Sequence, residues 1–161
     1  MLSQTTFGPT DAEIDRVVAI GFPAWLEEQF AKPQALHRDY IDRRTAEIEP
    51  LGFAAVQNDF LETFFAQAVA GEDQLRQRMT FALSQIFVVS LADNTLGEMP
   101  RAVAAYLDML GQHAFGNFRD LLEAVSLHPV MGIYLSSLRN QKESATRVPD
   151  QNYAREVMQL F

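Results

Sequence analysis

The longest apolar stretch of the chain lies between Leu75 and Ala92, in the sequence LRQRMTFALSQIFVVSLA. Its first turn carries Arg76 and Arg78, and from Phe81 onward a helix would be apolar on almost every side. A helix that is apolar all round is normally buried all round. The apolar part is well short of the ~20 residues that a bilayer crossing needs. The pattern therefore predicts the buried central helix of a soluble, all-helical domain.

Apolar residues recur every three or four positions through most of the remaining chain, which is the spacing of amphipathic helices. The clearest example covers residues 53–70. Residues 34–49 carry many charges and few apolar residues, which predicts a helix that lies on the surface or is partly mobile. Helix boundaries are indicated by three kinds of residue. The N-caps are Thr10 and Asn117, the glycine that ends a helix is Gly21, and the prolines that begin helices are Pro23, Pro100 and Pro129. No segment alternates as a strand does. We therefore expect an all-α fold, an irregular bundle of roughly nine helices in a single domain over residues 1–161.

Composition narrows the classes of partner and chemistry. The net charge is −8, from 13 basic and 21 acidic residues, and an acidic surface repels nucleic acid. The absence of cysteine excludes disulfides, thiolate chemistry and cysteine-ligated zinc. The N-terminal sequence MLSQTTFGPT lacks the basic and apolar regions of a signal peptide. We expect neither a nucleic-acid partner nor insertion into a membrane, and the residues identify no cofactor.

The last predicted helix carries the sharpest candidate chemistry. Its polar residues Asn152, Arg155 and Glu156 share one stripe with Gln159. A carboxylate one turn from an amide offers oxygen ligands to a hard cation, and an arginine offers a bidentate clamp for a carboxylate or phosphate. The simpler alternative is a solvated face or a set of ion pairs.

Two histidines, His113 and His128, lie at opposite ends of one predicted helix. A straight helix would hold them too far apart to share a metal ion, unless the chain folds back near Gly116 or Pro129. The simpler alternative is that each histidine is hydrogen-bonded and fixes the end of a loop. No HExxH motif is present.

The start of the same helix, with Asn117 as its cap and Arg119 in its first turn, is a candidate anion site. Simple capping with an Arg119 ion pair is the alternative, because no phosphate-binding glycine motif is present. Arg76 and Arg78 point to different faces of their helix, and we expect one of them to be buried and paired with a carboxylate such as Glu123 or Glu156.

Four blocks of sequence occur together in one order: Thr6-Phe7-Gly8-Pro9, LRQRMTFALSQIFVVS, HAFGNFRDLLEAVSLHPVMGIYL and PDQNYAREVMQLF. By these blocks the chain resembles the family of large bacterial proteins known as domain of unknown function 1800. The resemblance implies a mainly helical, often exported protein that continues beyond Phe161, and it implies no chemistry. The family's last block usually begins with Glu where this chain has Gln151. If that acid were a ligand or base in relatives, this chain would lack it.

These observations favour a scaffold or interaction domain, the N-terminal part of a larger exported bacterial protein. Its expected partners are the C-terminal part of the same protein and a second copy, bound through an uncovered stripe at Tyr153, Val157 and Phe161. The alternative is part of an enzyme or metal-binding site, completed by residues beyond the chain's end. That site would be built from His113, Asn117, Arg119, His128, Asn152, Arg155 and Glu156. A third reading is a small-ligand pocket between helices.

Overall fold

The computed structural model describes residues 1–161 and contains nine α-helices without a strand. They are α1 (Leu2–Thr5), α2 (Asp11–Ala31), α3 (His37–Ile48), α4 (Gln57–Ala70), α5 (Gln74–Ser84), α6 (Pro100–Gln112), α7 (Phe118–Leu127), α8 (Pro129–Tyr134) and α9 (Asn152–Gln159). Short 3₁₀ turns cover Glu49–Leu51 and Leu96–Glu98. The all-α prediction and the number of helices are confirmed.

The centre of the bundle is α6, which contributes more buried residues than any other helix. Val103, Tyr106, Leu107 and Leu110 lie along it at helical spacing and belong to the main hydrophobic core. Helices α3, α4, α5, α7 and α8 pack around it. Because Pro100 opens the helix, its missing N–H costs nothing there.

The predicted central helix Leu75–Ala92 is wrong beyond Ser84, where α5 ends. Ile86 and Val88 in the following segment are 46% and 43% exposed, and Phe87 alone in residues 81–92 is fully buried. The Phe87 carbonyl oxygen accepts a hydrogen bond from the Tyr106 hydroxyl at 2.8 Å. The chain therefore leaves the helix so that one aromatic side chain and its backbone can join the core against α6.

Helix α3 lies on the surface, as its charges predict, and is anchored along one edge. His37, Ile41 and Ile48 form a buried edge that packs against α4 and α6. Its N-cap residue, Leu36, has no side chain able to cap. The Asp108 carboxylate of α6 accepts the backbone N–H groups of His37 and Arg38 at 2.8 and 3.0 Å. A tertiary contact thus supplies the cap that the local sequence lacks.

Helix α2 bends at Gly21, where φ is 78°, in agreement with the predicted end of one helix and start of another at Pro23. Thr10 caps its start by accepting the Glu13 N–H. The Glu13 carboxylate accepts a hydrogen bond from the Trp25 indole N–H at 2.5 Å. Trp25 is then buried in a second, smaller core cluster of Leu2, Val17, Trp25 and Leu75.

Helix α9 has no fully buried residue and is held by Tyr153 and by Phe161, which lies just beyond the end of the helix. The Tyr153 hydroxyl lies 2.5 Å from Ser126 Oγ near the end of α7, and the Phe161 ring lies 4.9 Å from Phe87. The expected uncovered stripe is therefore wrong for Tyr153 and Phe161, which pack on the main core. Instead, Met158 and Leu160 are exposed. No helix of the chain combines the length and hydropathy that crossing a membrane requires.

Candidate functional site

An apolar cleft opens between α4, α5 and α6 and is closed on one side by the segment that follows α5. Its volume is about 260 Å³, and nine of its 11 lining residues are hydrophobic. Its apolar walls are Phe60, Leu61, Phe64, Phe81, Val88, Val89, Leu91, Val103 and Leu107. A dry cavity of ~150 Å³ is enough for a benzene ring. The cleft is therefore large enough for an aromatic or branched aliphatic side chain.

Few polar side chains line the cleft, and those that do are hydrogen-bonded to one another or to the backbone. The Ser84 hydroxyl donates to the Phe81 carbonyl oxygen at 2.8 Å, and the Gln85 amide donates to Ser84 Oγ at 3.3 Å. No charged side chain lines the cleft. Binding there would be driven by removal of apolar surface from water and would gain little from charge.

An exposed apolar stripe on α4 continues from the rim of this cleft. Leu61, Phe65 and Val69 recur every four residues, so they share one face of the helix, and they are 38%, 60% and 82% exposed. Leu61 belongs to both features, and the Phe65 ring lies 5.4 Å from the ring of Phe64 in the cleft wall. We call the cleft and this stripe together the α4 surface.

The polar residues predicted as a site lie mainly at helix ends. His113 terminates α6, and Asn117 caps α7 by accepting the Arg119 N–H at 2.8 Å. His128 lies at the junction of α7 and α8, where Nδ1 accepts the Val130 N–H. The predicted N-cap of α7 is confirmed, and Arg119 makes no ion pair there.

The polar stripe of α9 remains open to water. Asn152 and Arg155 are exposed, Glu156 is partly exposed, and neither charged side chain forms an ion pair within the chain. Across the structure, no group of three or more His, Asp and Glu side chains is placed to hold a metal ion.

One predicted residue, His128, does join a polar and aromatic cluster that the sequence does not reveal. Its ring lies 5.1 Å from that of Tyr106, and burial lowers the pKa of His128. Burial, with a smaller effect from Tyr153, raises the pKa of Tyr106. Ser126 Oγ lies 2.6 Å from the Leu122 carbonyl oxygen, so it accepts from the Tyr153 hydroxyl while donating to that carbonyl. The cluster ties α6, α7, α8 and α9 together.

A second buried polar cluster surrounds His37. Its Nδ1 lies 3.3 Å from Thr63 Oγ1. The nearby Asp73 Oδ2 accepts from the Ala35 N–H and the Gln77 amide, each at 3.1 Å, whereas Asp73 Oδ1 is buried without a partner. These groups join α3, α4 and α5 from the inside.

The expected carboxylate partners of Arg76 and Arg78 are absent. The Arg76 guanidinium donates to the Gly111 carbonyl oxygen at 3.0 Å and lies 4.6 Å from the centre of the Phe115 ring. Arg78 lies 5.4 Å from the rings of both Phe7 and Phe81. Aromatic faces and a helix-end carbonyl can stabilise a guanidinium without a carboxylate, because its charge is delocalised and weakly hydrated. The prediction of Glu123 or Glu156 as partner is wrong.

The α4 surface is the feature that sequence reasoning missed. Its signal is present as a second apolar stripe, Leu61, Phe65 and Val69, beside the inward stripe of Phe60 and Phe64. A helix that buries one face needs only one such stripe. The second stripe is therefore not needed to pack α4 against the rest of the chain.

The fold is all-α, and the cleft between α4, α5 and α6 is apolar and uncharged. No curated protein and no solved structure matches this chain. The family model described as protein of unknown function (DUF1800) matches residues 1–161, so the chain belongs to this family.

Proposed function

We propose that this chain is a helical interaction domain of a larger exported bacterial protein and that it binds an apolar segment of a partner at the α4 surface. The observation that carries the proposal is the open cleft of about 260 Å³ beside an exposed apolar stripe on the same helix. An apolar groove that continues onto an apolar helix face is the geometry that accepts an amphipathic helix.

Energetics support this use of the surface. Phe65 and Val69 are 60% and 82% exposed, so the isolated fold leaves most of their apolar area in water. Covering apolar area gains ~25 cal/mol per Å², and a single side chain seated in the cleft would gain ~1.5–3 kcal/mol. Contiguous exposed apolar surface of this kind is typical of interaction sites.

That the whole protein is larger and exported is proposed from the family resemblance. Members of such a family are large, so the rest of the same protein is one expected partner and a second copy of this chain is another. No nucleic-acid partner is included, because the net charge of −8 disfavours it.

Binding at the α4 surface can be tested with the neutral apolar dye N-phenyl-1-naphthylamine. The dye should fluoresce on binding the cleft, and a synthetic amphipathic helix with Leu and Phe on one face should displace it. Leu61→Glu places a charge in the cleft wall and should weaken dye and peptide binding at least tenfold, since a buried unpaired carboxylate is costly.

Val18→Glu is the matched control, because Val18 is 81% exposed on α2 and lies outside the cleft. Its binding should equal that of the unmodified chain, and circular dichroism should show both variants folded. Equal binding by Leu61→Glu, or a peptide that fails to displace the dye, would contradict the proposal.

A second candidate function, part of an enzyme or metal site, is supported by one cluster. The His128 ring packs against the Tyr106 ring, and the Ser126 hydroxyl is hydrogen-bonded to the Tyr153 hydroxyl, so polar groups from α6 to α9 lie close together. Metal analysis and calorimetric titration with Zn²⁺ or Mg²⁺ test it on the unmodified chain and on His128→Ala. Stoichiometric binding that His128→Ala abolishes would favour this function.

A further inference from the structure

The cleft has an apolar side chain of suitable size directly beside it. Phe65 projects from α4 with 60% of its surface exposed, and its ring touches Phe64, which forms part of the cleft wall. A surface that carries a projecting ring beside a cleft can pair with a copy of itself. If a two-fold axis passes between the Phe65 ring and the cleft, the ring of each copy lies at the cleft of the other. The cleft of about 260 Å³ exceeds the ~150 Å³ that holds a benzene ring.

The neutral character of this surface permits contact between two copies of an acidic chain. With a net charge of −8, two copies repel each other unless they meet over neutral surface. The stripe Leu61, Phe65 and Val69 and the walls of the cleft carry no charge.

The two acidic residues of α4 are turned away from this surface, toward α3. Asp59 is buried and accepts from Arg44 Nε at 3.1 Å. Glu62 lines a separate depression with Tyr40, Arg43 and Arg44. The two carboxylates of α4 itself therefore lie outside the proposed contact.

We infer that the chain forms a two-fold dimer in which Phe65 of each copy inserts into the α4–α5–α6 cleft of the other. This inference rests on the proposed function, because it names a second copy as the occupant of the same surface. The contact between copies is isologous and reciprocal, so each dimer contains two identical ring-in-cleft contacts. Leu61 and Val69 flank each contact.

Sedimentation velocity and light scattering across a concentration series measure the association. Phe65→Ser removes the inserted ring from both contacts and should raise the dimer dissociation constant about 100-fold or more. Val88→Trp covers the cleft from its exposed edge and should do the same without removing the ring. Val18→Ser, on exposed α2, should leave the constant unchanged.

Mixing the two defective variants tests reciprocity. Phe65→Ser retains an open cleft and Val88→Trp retains the ring, so an equimolar mixture can form one contact per pair whereas neither variant alone can form any. The mixture should therefore associate more tightly than either variant. An interface elsewhere on the chain predicts no such complementation, and its absence in associating protein would overturn the inference.

The outcome also separates this inference from the proposed function. A strictly monomeric chain up to about 1 mM, where weak association is already populated, overturns the dimer. If that monomer still binds the dye and peptide in a Leu61-dependent manner, the interaction surface stands with a different occupant. If neither binding nor association occurs, both proposals fail.

Discussion

At the scale of single residues, His37 shows how burial sets the charge of a side chain. It is 2% exposed. Burial lowers the pKa of His37 from its ordinary 6.5, although the Gln77 hydrogen bond and the Asp73 charge act in the opposite direction. Below about pH 6.5 the unfolded chain therefore binds a proton that the folded chain resists. The free energy of unfolding should fall as pH falls through this window.

Urea denaturation at about pH 7.5 and about pH 5 tests this expectation. The unmodified chain should show a lower midpoint at the acid pH, and His37→Gln should reduce that difference while lowering stability at both. His128→Gln should reduce it less, because His128 is only half-buried. Burial raises the pKa of Asp108 from 3.8, which acts in the opposite sense. Because Asp108 is present in both proteins, the difference between the unmodified chain and His37→Gln reports on His37. An unchanged pH difference in His37→Gln would contradict the assignment.

The arginines show a limit of residue-level inference. Sequence spacing places Arg76 and Arg78 on different sides of α5, and their contacts with different aromatic rings agree with this. The need for a partner is met at Arg76 Nη1, whereas Arg76 Nε is buried without a hydrogen-bond partner. The kind of partner, however, depends on which loop folds back onto α5. Phe115 follows α6 and Phe7 precedes α2, so neither contact has a local signal in the sequence.

At the scale of elements, α3 depends on a side chain of α6 for its first turn. The Asp108 carboxylate accepts two backbone N–H groups there and places negative charge at the positive end of the helix dipole. Asp108→Ala should lower the free energy of unfolding by about 1–2 kcal/mol, the usual range for a lost cap. Asp108→Asn keeps one acceptor oxygen and should lose less. Chemical denaturation measures both, and equal stability of all three proteins would argue against the cap.

Helix boundaries can be predicted from the sequence where a local side chain sets them. They cannot be predicted where contacts with distant parts of the chain set them. Asn117 and Thr10 cap α7 and α2 as their sequence predicts, and Gly21 breaks α2. The end of α5 had no such marker, because the apolar run continues through Val89. Its end coincides with the bond between the Tyr106 hydroxyl and the Phe87 carbonyl oxygen, a contact across the core that no local pattern contains.

The α4 surface was missed for a related reason. Counting apolar positions identifies α4 as a helix, and both of its stripes satisfy the same spacing rule. Which stripe faces α6 is decided by the packing of Phe60 and Phe64 there, and the exposed stripe becomes visible only after that choice.

At the scale of the whole molecule, stability should be distributed unevenly between α6 and α9. Helix α6 carries the centre of the main core, whereas α9 has no buried residue and is attached through Tyr153 and Phe161. Elements with few buried apolar contacts open locally without global unfolding. We therefore expect α9 to open as a unit while the rest of the bundle stays folded.

Hydrogen exchange followed by mass spectrometry should show this hierarchy. Amides of α9 should exchange at least ten times faster than those of α6, because only local opening is needed. Tyr153→Phe removes the hydroxyl that bonds Ser126 and should accelerate exchange in α9 alone. Met158→Ala, at a position 78% exposed on the same helix, should not. If α9 were as protected as α6, its two aromatic contacts would have to act as part of the central core, and opening of α9 would require the whole bundle to unfold.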